Sequence, residues 1–289
     1  MPHPRQALLM MAVASACFAV MAFAAKLASD DLAGSQVAFL RFAFMTVPVL
    51  IVPGVARKAV TYHRLDLLFY RGLFGGTAVL LYFLTIEHIP VGIATLLNYS
   101  APIFSVTFAA IFLGERVDRR LLPPLLAALC GVVLAAGGGG GLGELRFGIW
   151  EAAGVASAVL SGAAVTAIRA ARRTEGSWAI YGSFTLFGLL ATAPFGLPNF
   201  EAPTPWEWLM LTVVGLTSVT AQLLMTYAYR WVTNLQAGVL AQLTVILSMI
   251  LGAVFLGDRL APVQILGSLL ALAGVVGVVW VQATPRAVE

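Results

Sequence analysis

Few side chains in this 289-residue sequence could act chemically inside its long apolar stretches, and most of those are neutral. Arg41 and Arg71 are the exceptions, Arg41 lying deep in an apolar stretch within the string Phe39-Leu40-Arg41-Phe42. An ionisable group so placed is costly unless it meets water or a partner, which makes it a functional candidate by default. The Arg41 guanidinium could hold a substrate carboxylate through its paired donors. It could equally bond backbone carbonyls or an acid and support the fold. The neutral candidates are Ser15, Tyr82, Asn98, Tyr99, Ser157, Gln222, Tyr227, Gln242, Thr244 and Ser248, with Ser100 beside Tyr99 and Pro102 just beyond it. Their chemistry is hydrogen bonding, and Tyr82, Tyr99 and Tyr227 add ring faces that suit an apolar or aromatic ligand. Any one of them could instead join two helices; as a set, with Arg41, they are expected to line a binding site. Catalysis lacks its parts. His3, His63 and His88 lie outside the apolar stretches or at their edges, and no HExxH or GxSxG string occurs. No metal or cofactor is expected, and Cys17 and Cys130 read as small buried hydrophobes.

The elements that must position these residues follow from composition. The chain is 60% hydrophobic and 10% charged, against about a quarter charged in a soluble domain. Continuous apolar runs of about 20 residues are the length of helices crossing a bilayer, not of alternating barrel strands. We place spans 1 to 10 at 7–27, 36–53, 66–86, 91–113, 121–136, 149–168, 178–196, 207–229, 235–256 and 263–281. The first resembles a signal peptide, but it has full spanning length and is read as a retained helix. Pro102 is expected to kink span 4 and free a carbonyl near Asn98. Lys26, Glu87, His88 and Glu151 fall at span ends and are read as interfacial.

Basic residues set the expected topology. With ten spans, Arg5, Arg57, Lys58, Arg64, Arg116, Arg119, Arg120, Arg169, Arg172, Arg173, Arg230 and Arg286 share one side, and only Lys26, Arg146 and Arg259 the other. Both termini are therefore expected in the cytoplasm. The same rule accounts for the net charge of +4 without a nucleic-acid partner.

An internal repeat organises the spans. Phe112-Leu113-Gly114-Glu115-Arg116-Val117 matches Phe255-Leu256-Gly257-Asp258-Arg259-Leu260 at an offset of 143 residues, and Gly131-Val132-Val133 falls on Gly274-Val275-Val276 at the same offset. The expected units are residues 7–136 and 149–281, joined by a Gly-rich linker at 137–148. Because each unit holds five spans, the second enters the membrane in the opposite sense, the arrangement of carriers with a site between inverted halves. Tyr99 and Gln242 then occupy equivalent places, and Ser15 and Ser157 nearly so. Glu115, Arg116, Asp258 and Arg259 are read as residues that fix loops and topology. Val245 stands where the first unit has Pro102.

These motifs, FLGERV and FLGDRL with Phe39-Leu40-Arg41-Phe42 and Pro102, resemble the EamA-type transporters of the drug/metabolite transporter superfamily over residues 7–281. The resemblance implies a ten-helix fold with a central cavity and export of amino acids or other small metabolites by alternating access. It is most similar to the YddG branch of amino acid exporters, which implies aromatic and other neutral amino acids. Family members with differing substrates carry an arginine at the Arg41 position, which favours its role in the fold. An integral multi-pass protein of a bacterial-type inner membrane follows, monomeric, with a small-molecule substrate and membrane lipid as partners. The alternative is a proton-coupled drug/metabolite exporter. Small multidrug members place a glutamate eight residues before a lysine in helix 1, and Phe18 stands there. With no carboxylate near any span centre, a facilitator is expected.

Overall fold

A computed structural model describes residues 4–113, 119–137, 147–171, 174–198, 200–228 and 234–283. The first copy of the Gly-acid-Arg motif with Glu115 and Arg116, most of the linker, and Arg172, Arg173, Arg230 and Arg286 lie outside them. The described residues form helices and no strand, ten of them long and apolar enough to cross a membrane. Spans 1 to 3 are Pro4–Ala28, Gly34–Ile51 and Leu65–His88, and a short helix, Val55–Ala59, that the sequence did not suggest follows span 2. Span 4 comprises Val91–Tyr99 and Ala101–Leu113, and span 5 is Leu122–Gly137. Spans 6 to 8 are Ile149–Ala171, Ser177–Gly196 and Pro205–Ala228. Span 9 is Asn234–Leu251, continued by a wider turn over Gly252–Leu256, and span 10 is Pro262–Ala283.

The two irregular spans have local causes. Pro102 has no N–H to give the Asn98 carbonyl, and the chain tightens instead: Ser100 N–H donates to the Leu97 carbonyl at 3.2 Å and Ile103 N–H to the Ser100 carbonyl at 3.0 Å. Span 9 closes on Gly257, whose φ of 69° suits a residue without Cβ. There Asp258 N–H reaches the Gly252 carbonyl at 3.1 Å.

Packing repeats with the sequence. A Cβ on Gly131 would stand 2.6 Å from Ala271 Cα, and a Cβ on Gly274 would stand 2.6 Å from Ala128 Cα. Adding 143 to Gly131 and Ala128 gives Gly274 and Ala271, so the two contacts are one contact exchanged between halves. The same exchange relates a Cβ on Gly72 against Phe187 (2.8 Å to the ring) to one on Gly215 against Phe44 (2.4 Å to the ring). A third pair, Gly267 against Leu134 and Gly277 against Pro124, obeys it as well. These glycines let spans 5 and 10, 3 and 7, and 2 and 8 approach closely, where a larger side chain could not fit.

The ends are tied by charged groups bonded to backbone. On the face opposite the N-terminus, Lys26 Nζ donates to the carbonyls of Glu87 (2.8 Å) and Ile89 (3.4 Å). The Glu87 carboxylate accepts the Gly34 N–H at the start of span 2 (2.8 Å), and Asp258 accepts the Val91 N–H at the start of span 4 (3.3 Å). Such acids complement exposed N–H groups at helix starts. Glu151 likewise accepts Gly148 N–H at 2.9 Å. On the N-terminal face, buried Glu175 accepts N–H groups of His63 (2.8 Å) and Arg64 (2.5 Å), fastening span 3 to the turn before span 7. Burial, with the Glu175 carboxylate, pushes the neighbouring Tyr62 phenol up. One expectation is corrected: Cys130 is exposed, sharing the outer stripe of span 5 with Leu122, Leu126, Leu129 and Val133, so it faces outward rather than into a core. Cys17 is half-buried, and both cysteines are free.

Candidate functional site

Span 2 runs inward from the face opposite the N-terminus and span 3 from the N-terminal face. At about 1.5 Å per residue, Arg41 lies about 10 Å in from one side and Arg71 about 9 Å in from the other. Both are buried, 4% and 7% exposed. Their guanidinium carbons converge on one ring, standing 5.9 Å (Arg41) and 4.1 Å (Arg71) from the centroid of Phe184 in span 7. Phe42 and Phe83 add further ring contacts to Arg41 at 5.2 and 5.8 Å. Arg41 Nε donates to Ser218 Oγ of span 8 at 2.9 Å. One terminal nitrogen of Arg41 and the Nε of Arg71 have no hydrogen-bond partner.

The positions equivalent under the repeat explain the asymmetry. Phe184 is the counterpart of Arg41, and Ser218 the counterpart of Gly75, at the offset of 143. A Cβ on Gly75 would collide with a terminal nitrogen of Arg71, so glycine there leaves room for one guanidinium while Ser218 gives the other an acceptor. Among the described residues no carboxylate pairs with either arginine. Tyr82 packs edge-on against Phe83 at 5.8 Å, and Phe83 is one of the rings over which Arg41 lies. The structure thus brings two residues read from sequence, Arg41 and Tyr82, into one neighbourhood around Phe83. Among the described residues no acid pairs with Arg41 to support the fold.

Four of the remaining candidates, Ser15, Thr244, Asn98 and Ser157, form two hydrogen-bonded seams. In the first, Ser15 Oγ donates to the Leu240 carbonyl (2.9 Å) and Thr244 Oγ1 to the Ser15 carbonyl (3.2 Å), joining spans 1 and 9. In the second, Asn98 Nδ2 donates to the hydroxyls of Ser157 and Ser161, the latter at 3.3 Å, while Ser157 Oγ donates to the Ala78 carbonyl (2.9 Å). That seam joins spans 3, 4 and 6. Tyr82 is buried with its hydroxyl 2.9 Å from Thr95 Oγ1, inside the first half. Gln222 and Gln242 are buried in spans 8 and 9, and the buried Ser248 hydroxyl has no partner. Tyr227 stands apart in character, 46% exposed and one residue from the end of span 8. An apolar crevice between spans 9 and 10, lined by Ile246, Met249, Leu260, Leu269 and Leu272 among others, touches none of these candidates.

Sequence reasoning noted Arg71 only as a charge within a span, and passed over Phe184, Ser218 and Tyr181. A signal for the first was present, since any ionisable group in a span is a candidate. Applying the offset of 143 to Arg41 and Gly75 points to Phe184 and Ser218. Tyr181, whose hydroxyl donates to the Met45 carbonyl at 2.9 Å, carried no such mark.

Comparison with known proteins agrees with this architecture. The model of the EamA-like transporter family matches twice, over residues 5–137 and 148–280. The pseudopaline exporter CntI of Pseudomonas aeruginosa is 28% identical over 226 residues, 78% of either chain. An uncharacterised transporter of Helicobacter pylori is 27% identical over 264 residues, 86% of either chain. A protein of known crystal structure, 21% identical, superposes with a TM-score of 0.63 over 96% of this chain and 98% of that one, a likeness of fold. Ten spanning helices whose two halves exchange their glycine contacts, with the family pattern present once in each half, make this chain a member of the EamA-like transporter family and an integral multi-pass membrane protein.

Proposed function

We propose that the chain exports small metabolites, amino acids with aromatic or other neutral side chains among them, by alternating access between its two halves. The observation that carries this reading is the pair of buried polar groups left without a protein partner at mid-depth where spans 2, 3, 7 and 8 meet: one terminal nitrogen of Arg41 and the Nε of Arg71. Buried polar groups are normally satisfied, and exceptions in a native structure point to a bound species. The Phe42, Phe83 and Phe184 rings around Arg41 offer faces to an apolar side chain. Similarity to a pseudopaline exporter supports small-metabolite export.

The excess of Lys and Arg on the N-terminal side supports cytoplasmic termini and a bacterial-type inner membrane. In that orientation three contacts join the outer ends of the spans: the start of span 4 packs on the end of span 9 through Gly92 and Met249, Phe23 meets Phe255 edge-on at 5.8 Å, and Asp258 caps Val91. Outward opening would require these contacts to part. Every Asp and Glu lies in a connection or at a span end, so the bundle centre offers no carboxylate to carry protons. We read the protein as a monomeric facilitator that follows the substrate gradient.

The test is counterflow into liposomes holding purified protein, preloaded with unlabelled amino acids. Saturable uptake of labelled phenylalanine or leucine is expected. A pH gradient alone should drive no accumulation, and uphill uptake under that gradient would contradict the facilitator reading.

A further inference from the structure

Arg41 and Arg71 present an electrostatic problem that the protein itself does not solve. Both are buried and converge on Phe184, and the groups facing them are rings, hydroxyls and each other. Two like charges withdrawn from water normally require paired acids or full hydrogen bonding. Here one Arg41 terminal nitrogen and Arg71 Nε remain unpaired. Ring faces attract cations, but they accept no hydrogen bond as strong as that of a carboxylate. The geometry also excludes an internal answer from the repeat. Phe184 occupies the place where a second copy of Arg41 or an acid could have stood, and Gly75 is bare where a side chain would displace the Arg71 guanidinium.

We propose that Arg41 and Arg71 together form an anion subsite that takes the carboxylate of the transported metabolite, from spans 2 and 3 against the Phe184 ring of span 7. The proposal rests on the transport reading above and adds a substrate class: metabolites bearing a carboxylate, which need not bear an amine. It reverses the balance drawn from sequence for Arg41, because Ser218 satisfies only its Nε and one terminal nitrogen keeps no partner. It also gives the two halves distinct parts, the first supplying the cations and the second supplying Phe184 and Ser218. Since spans 2 and 3 contact spans 7 and 8 across the junction of the halves, a carboxylate bound there would sit where the halves move relative to each other.

The test uses purified full-length protein in liposomes and in detergent. Counterflow of labelled phenylalanine is competed with unlabelled phenylalaninamide, which lacks the carboxylate, and with 3-phenylpropionate, which keeps it and lacks the amine. The amide should compete about tenfold or more weakly than the propionate. Arg41→Gln and Arg71→Gln should each erase that preference, chiefly as a rise in KM for phenylalanine, and Arg71→Lys should restore part of it. In parallel, 3-phenylpropionate should raise the Tm of the wild-type protein and the amide should not, a readout that needs neither flux nor a variant that folds. Equal competition by amide and propionate, preference unchanged in both glutamine variants, or equal Tm shifts would overturn the subsite. Absence of saturable flux for every compound would instead overturn the transport reading, and the Tm comparison would still decide the subsite.

Discussion

The two halves of this protein share a packing plan and differ in their chemistry. Gly131 meets Ala271 as Gly274 meets Ala128, and Gly72 meets Phe187 as Gly215 meets Phe44. Yet Arg41 faces across to Phe184 in the equivalent place, and the bare Gly75 has Ser218 as its counterpart. Close helix contacts depend on small residues at fixed spacing, so the plan survives only where both copies keep them. A ligand site has no such need: one asymmetric ligand contacts the two halves differently. Symmetry in the small residues and asymmetry in the polar ones therefore separate scaffold from site.

This division can be broken experimentally. Gly131→Leu and Gly274→Leu should be the most damaging changes and should be matched in size. Overpacking of a close contact costs about 1–3 kcal/mol and occasionally more, so both should lose most of the monodisperse protein in fluorescence-detected size exclusion. A large difference between them would argue against an exchanged contact. Across the asymmetric pair the effects should diverge. Ser218→Ala leaves the buried Arg41 Nε without its acceptor, a loss of about 1–3 kcal/mol, readable as a lower Tm together with reduced flux. Gly75→Ala displaces the Arg71 guanidinium, and its flux should fall more than its Tm.

Smaller effects are expected at the outer closure and the seams. Asp258→Ala removes the acceptor for Val91 N–H, a cap worth about 0.5–2 kcal/mol. It should also loosen the outer face, seen as faster labelling of a cysteine introduced at Val91 by a membrane-impermeant maleimide. Ser15→Ala and Asn98→Ala should cost least, about 0.6 kcal/mol each, with Tm as the measurement.

How much of this was legible in the sequence depended on what each feature needs. Span number and the repeat required only hydropathy and the FLG-acid-Arg strings, and the ends came within a few residues. The break in span 4 was legible because Pro102 acts on its own helix. Which polar groups meet was not, because that depends on how each helix is rotated: Ser15 turned to the Leu240 carbonyl and Asn98 to Ser157, while Tyr227 points to an exposed surface. Arg71 was visible as a charge, but its convergence with Arg41 on Phe184 arises only when spans 2, 3 and 7 pack. The wider turn at Gly252–Leu256 likewise depends on tertiary contact, since it brings Asp258 to span 4.

Counterflow of labelled phenylalanine into liposomes containing the wild-type protein tests the central claim most directly, that the junction of two unlike halves carries a small carboxylated metabolite across the membrane. The account predicts saturable uptake that depends on preloaded unlabelled amino acid and is lost in Arg71→Gln. Uptake no greater than in protein-free liposomes, for phenylalanine and for every other carboxylated compound offered, would contradict it.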